Sequence, residues 1–159
     1  MGGKCIKSKA GDAIRPFIPP PVSKLSLSSS EVHDLLSKVT KCPQIILWDS
    51  KYDTIEKEDV QAFLISNINT DYIVDRSDCD DFSIHLCSRF REHAYRMNGT
   101  GGPLFGILTG DLRLTAENPS RPHAVCFFID SQKQFHIVDG MWNSIHALEA
   151  SMTVWTVVL

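Results

Sequence analysis

One change of periodicity, near "NGTGGP" at residues 98–103, limits this fold more than any other feature of the chain. Before it, apolar residues recur at helical spacing: Val32, Leu35, Leu36 and Val39 in "SSEVHDLLSKV", then Val60, Phe63, Leu64 and Ile68 in "EKEDVQAFLISNI". A third set, Phe82, Leu86, Phe90 and Ala94, predicts a helix from Cys79 to Met97 that the glycines close. After it come "LFGILTGDLRL", "HAVCFFID", "QFHIVD" and "TVWTVVL", rich in β-branched and aromatic residues, with "DSQK" as a hairpin connection. Helices first and an antiparallel sheet afterwards make an α+β arrangement. Between the first two helices, "QIILWD" reads as a short strand or a buried turn, and Ser30 as the first helix's N-cap.

The chain has 159 residues, 43% of them hydrophobic, enough for one ordinary core and too few for two comfortable domains. The expected division is a tail at 1–29 and a folded domain at 30–159. The tail carries a Pro and Ser run, "RPFIPPPVSKLSLSSS", that cannot form an interior helix or a central strand. Residues 1–24 hold five Lys/Arg against one Asp, a net +4, and residues 25–159 hold eleven against eighteen Asp/Glu, a net −7. An acidic body of this kind excludes nucleic acid as the expected partner. Gly2 behind the initiator Met, Cys5, and the nearby Lys4, Lys7, Lys9 and Arg15 match a myristoyl-plus-palmitoyl anchor, although Ile6 stands where the motif wants Ser or Thr. The expectation is a cytoplasmic protein, associated with membrane if that tail is acylated. Cys5, Cys42, Cys79, Cys87 and Cys126 are odd in number and show no C-x-x-C spacing, which points to free thiols.

The stretch "RSDCDDFSIHL" sets Cys79 among Asp78, Asp80 and Asp81 where the third helix begins. With Asp78 as N-cap, Cys79 falls in the first turn, where free N–H groups and the helix dipole favour a thiolate. His123 opens one strand and Asp139 ends the strand paired with it, at the same edge of the sheet. A nucleophile, a base and a carboxylate orienting the base are the parts of covalent catalysis. Taken singly each has a plain structural reading: a small buried thiol, a strand-end histidine, a turn aspartate.

The blocks "DCDDF", "PHAVCFFID" and "FHIVDGMW" resemble the cysteine-protease-like C-terminal domain of the Marasmius oreades agglutinin and its phage and bacterial relatives, from about "WDSKYDTI" to the C-terminus. The resemblance implies a papain-like fold, with Cys79 as nucleophile, His123 as base and Asp139 as orienter. It implies an intracellular cysteine hydrolase that cleaves peptide or protein substrates through a thioester. It also implies a calcium requirement, with Asp78, Asp80 and Asp81 as the carboxylates beside the thiol. The family's orienter is a glutamate, no glutamine lies at the usual offset upstream of Cys79, and the sugar-binding β-trefoil has no counterpart here. Two alternatives stand beside it: an inactive binding or regulatory module of the same fold tethered to membrane, and a transglutaminase- or amidase-type acyl transferase.

Overall fold

A computed structural model describes residues 25–66, 79–95, 101–114, 121–140 and 142–159. In chain order these form β1 (Ser26–Ser28), α1 (Ser29–Thr40), β2 (Gln44–Ile46), β3 (Lys51–Asp53), α2 (Lys57–Ser66), α3 (Cys79–Tyr95), β4 (Gly102–Pro103), β5 (Phe105–Leu112), β6 (Arg121–Ile129), β7 (Phe135–Asp139), β8 (Ser144–Ala147) and β9 (Thr153–Val158). The first helix starts two residues earlier than Ser30 predicts. Ser28 is its N-cap, accepting from the Glu31 backbone N–H while the Glu31 carboxylate accepts from the Ser28 N–H at 2.8 Å. This reciprocal capping box satisfies two of the donors that a helix start leaves over, so Ser28, with Glu three positions on, wins over Ser30.

The strands make two sheets. One has six strands in the order β2-β9-β5-β6-β7-β8, and the other has three in the order β1-β3-β4. β2 runs parallel to β9, β3 runs parallel to β4, and the remaining pairings are antiparallel. Alternate residues of β6 feed two separate cores: Val125, Phe127 and Ile129 pack with Val32 and Leu36 of α1, while Cys126 and Phe128 pack with α2 and α3. The large sheet is thus covered on both faces, which is why "AVCFFI" is an unbroken apolar run and not an alternating one.

The expected papain-like α+β plan, with helices first and the nucleophile helix on a single antiparallel sheet, is therefore corrected. Strands are interleaved with the helices from Ser26 onward, two pairings are parallel, and helices lie on both sides of the main sheet. The reason is local. β1, β2 and β3 are three residues each, too short to show a period of two, and are ordered by partners far along the chain. The buried Asp53 illustrates this: its carboxylate accepts from Ser26 Oγ at 2.7 Å and from the Gly101 N–H at 3.0 Å, tying β1 and the approach to β4 to β3. β1 falls inside the stretch assigned to the tail, and residues 1–24, with Gly2 and Cys5, lie outside the described residues. No described helix is long and apolar enough to cross a membrane.

α3 is fixed to the sheet by aromatic packing. Phe90 is fully buried, stacks on Phe105 of β5 with ring centroids 4.2 Å apart, and meets Phe63 of α2 edge-on at 5.0 Å. Truncating it removes the contact shared by all three elements. Phe90→Ala is expected to lower the unfolding free energy by about 3–5 kcal/mol, read from urea denaturation; a loss below about 1 kcal/mol would mean that α3 is not held this way.

Candidate functional site

α3 begins at Cys79, as the sequence predicts, with Asp80 and Asp81 exposed in its first turn. Its inward stripe is Ser83, Leu86, Cys87 and Phe90, all buried, so a serine occupies a position that otherwise holds apolar residues. Ser83 solves its own burial. Its Oγ lies 2.7 Å from the Cys79 carbonyl, one turn back, and 2.9 Å from the Ala124 carbonyl of β6. One hydroxyl thus links the turn that carries Cys79 to the residue next to His123.

β7 approaches the same helix from the other side. A Cβ on Gly140 would come within 2.8 Å of Leu86 Cδ2 and 3.7 Å of Phe82 Cδ1, so the end of β7 passes against α3 at a distance that suits glycine. The preceding residue, Asp139, is almost wholly buried, and its Oδ2 lies 3.6 Å from Nε2 of His123, whose side chain is 18% exposed. That separation is longer than an aligned hydrogen bond and within ion-pair reach. Cys79 is half-buried. Ser83 thus ties the turn of α3 that carries Cys79 to the strand of His123, and His123 pairs with Asp139, so the start of α3 lies beside this corner of the sheet.

Sequence reasoning missed other members of this corner. Ser83 was legible as the lone polar residue in α3's apolar stripe. Ser144 of β8 is in register with Asp139, and its Oγ lies 2.7 Å from Nε2 of His146; a four-residue edge strand gives little period to read. Beneath the corner, Cys126 Sγ lies 3.2 Å from the Ser83 carbonyl and Cys87 Sγ 3.6 Å from the Phe105 carbonyl. Burial pushes the Cys126 thiol well above its ordinary value, and contact with the Cys87 sulfur and the charge of Asp139 push the same way. Trp142 is 69% exposed, so its ring is not packed over the His123–Asp139 pair.

The calcium expectation rests on carboxylates beside the thiol. Asp78 lies outside the described residues, Asp80 and Asp81 are exposed, and no group of three His, Cys, Asp or Glu gathers among the described residues.

No family model matches the chain, and no curated protein does. Solved structures do match. A complex of the mushroom lectin PSL1a with E64 superposes with a TM-score of 0.70 at 18% identity, over 86% of this chain and 52% of that one. Polyporus squamosus lectin bound to the human-type influenza-binding epitope Neu5Aca2-6Galb1-4GlcNAc gives 0.71 at 16%, over 86% and 50%. This chain spans about half the length of these neighbours, and at such identities the likeness shows a shared fold.

These matches correct the expectations drawn from the agglutinin resemblance. The neighbours are lectins, and neither is described as a papain-like protease, so membership of that protease family, the intracellular cysteine hydrolase or acyl-transferase activity and the peptide or protein substrate are withdrawn. With them goes the membrane-tethered module of the same papain-like fold. A mushroom lectin fits only the agglutinin half of the resemblance.

Removing the Ser83 hydroxyl tests the geometry directly. Ser83→Ala leaves the buried Ala124 carbonyl without this donor and should cost about 1–3 kcal/mol in urea denaturation. Unchanged stability would mean that the hydroxyl does not bridge α3 to β6.

Proposed function

We propose that the corner formed by Cys79, His123 and Asp139 is a thiol-centred ligand site, in which Cys79 bonds to an electrophilic carbon of a bound small molecule. The observation that carries this reading is the convergence described above: Ser83 draws the Cys79 turn to the strand bearing His123, and His123 meets the buried Asp139. In the bonding step the imidazole of His123 accepts the thiol proton, the sulfur attacks the carbon, and the leaving group or opened ring takes the electron pair. Asp139 supports the ring that has become positive.

An ordinary thiol of pKa about 8.5 is only about 3% thiolate at pH 7, so activation is measurable as rate. Cys79 should be labelled by iodoacetamide at pH 7 at least roughly tenfold faster than a free cysteine, with a matching adduct from E64, the compound bound to one neighbour. His123→Ala should remove most of that advantage, and Asp139→Asn part of it; added calcium is a further arm of the same titration. Labelling of Cys79 at the rate of free cysteine, unchanged by His123→Ala, sinks the reading.

A second reading is favoured by the neighbours' description as lectins: a carbohydrate-binding module. Its test is separate. Titration with Neu5Aca2-6Galb1-4GlcNAc, the epitope bound to the second neighbour, should give saturable shifts in an NMR spectrum of the chain. Unmoved resonances at millimolar ligand would retire it.

A further inference from the structure

The last strand, β9, breaks its own alternation. Val154 and Val157 are both buried in the core that α1 covers, three positions apart where a regular strand would return to one face every second residue. The extra residue is Trp155. Thr109 of β5 pairs with Thr156 and Gly110 pairs with Val154, so the register shifts and Trp155 has no opposite number on β5. This β-bulge turns both Trp155 and Thr156 to the face away from that core. The indole is 41% exposed there, a large apolar side chain that the core does not use.

Thr156 stands in the middle of a row. It lies directly opposite Thr109 of β5 on one side and Gln44 of β2 on the other. Leu108 and Ile45, the residues beside these two, pack into the α1 core, so Thr109 and Gln44 face the other way, as Thr156 does. The three side chains thus cross two strand spacings, about 9–10 Å. The Thr156 hydroxyl donates to Gln44 Oε1 at 3.3 Å, which leaves the Gln44 amide N–H groups to donate outward. On the same face, Ile46 adds an exposed apolar side chain two positions after Gln44, and Asp111 a carboxylate two positions after Thr109.

We propose that Trp155 and the row Gln44, Thr156 and Thr109 form a binding platform for an uncharged saccharide. The proposal rests on the carbohydrate-binding reading above and gives that reading a place in the fold. A sugar ring has an apolar C–H face, which suits the electron-rich face of an indole, and an edge of hydroxyls that both donate and accept, which suits an amide and two threonines in line. A second copy of the chain suits the row less well, because an apolar interface would bury three hydrogen-bonding side chains and leave them to find partners by chance. Charge selects among sugars. None of these residues is Lys or Arg and Asp111 is negative, so the face favours a neutral ring over an acidic one.

The experiment titrates the folded, isotope-labelled full chain with Galb1-4GlcNAc and, separately, with Neu5Aca2-6Galb1-4GlcNAc, read by NMR. The neutral disaccharide should shift the Trp155 indole N–H and the amides of Gln44, Thr109 and Thr156 saturably, and the sialylated form should bind no more tightly. Trp155→Ala should weaken binding at least roughly tenfold, while Trp155→Phe keeps most of it. Thr156→Val, which keeps the shape of the side chain and removes its hydroxyl, should weaken it about fivefold. If neither saccharide moves any resonance at millimolar concentration, the carbohydrate reading falls and takes the platform with it. If resonances move elsewhere and Trp155→Ala binds as wild type does, the reading stands and the platform is overturned. Tighter binding of the sialylated form overturns the choice of an uncharged ligand. Shifts of the Trp155 indole with protein concentration alone, and none with sugar, would make the face a contact between copies of the chain and overturn the proposal.

Discussion

Strand β6 is buried on both faces, and the rest of the structure follows from covering it. Val125, Phe127 and Ile129 need one apolar layer, Cys126 and Phe128 another, and a chain of this length supplies them with α1 on one side and α2 and α3 on the other. Burying each large side chain contributes about 1.5–3 kcal/mol, so leaving either face bare would cost more than a small domain's whole margin of stability. β5 and β7 flank β6 and β9 completes the middle of the sheet, leaving the short β2 and β8 at its edges. Such short edges offer little open backbone for another chain to pair with.

Within that apolar layer, polar groups decide where α3 sits along the sheet. Arg91 reaches the Asp49 carboxylate at 2.9 Å and the Phe105 carbonyl at 3.3 Å, anchoring the helix's far half, and its guanidinium lies 5.9 Å from the centre of the Tyr95 ring. Ser83 anchors the near half. Apolar packing alone permits a helix to slide or rotate by small steps at modest cost, whereas a buried hydroxyl or guanidinium that loses its acceptors is expensive. Cys79 therefore owes its place to residues four and twelve positions further along the same helix.

Much of this was legible before any coordinates. The start of α3, the four long strands and the edge shared by His123 and Asp139 are all visible in the residue pattern, since they rest on local periodicity and on one hairpin. β2 was legible only as one of two readings of "QIILWD", and β1 and β3 were not, since their order comes from partners such as Asp53 for β1 that no local window contains; β8, though next to β7 in the chain, is too short to show a period. The capping box at Ser28 and Glu31 was legible but overlooked in favour of Ser30. The agglutinin resemblance failed for another reason. Short blocks such as "DCDDF" and "PHAVCFFID" encode a helix start and a doubly buried strand, features that a shared architecture needs whatever the chemistry, so they report on fold before function.

The His123–Asp139 pair shows why structure and function overlap at this corner. A carboxylate as deeply buried as Asp139 is unfavourable without a partner, and a histidine 3.6 Å away with a partly exposed ring supplies one that still reaches solvent. Such a pair would be retained for stability alone. A second pair, His136 Nε2 and Asp130 Oδ2 at 2.8 Å, is tighter, stacks on Phe128 and has no cysteine assigned to it. The same two residue types thus appear twice, once closed on themselves at the β6–β7 connection and once on the strand that Ser83 joins to the Cys79 turn. What separates the corner at Cys79 from the structural pair is the company it keeps: Ser83 spans the 41 positions to Ala124 to bring that thiol's turn to the strand of His123, a connection that packing does not require.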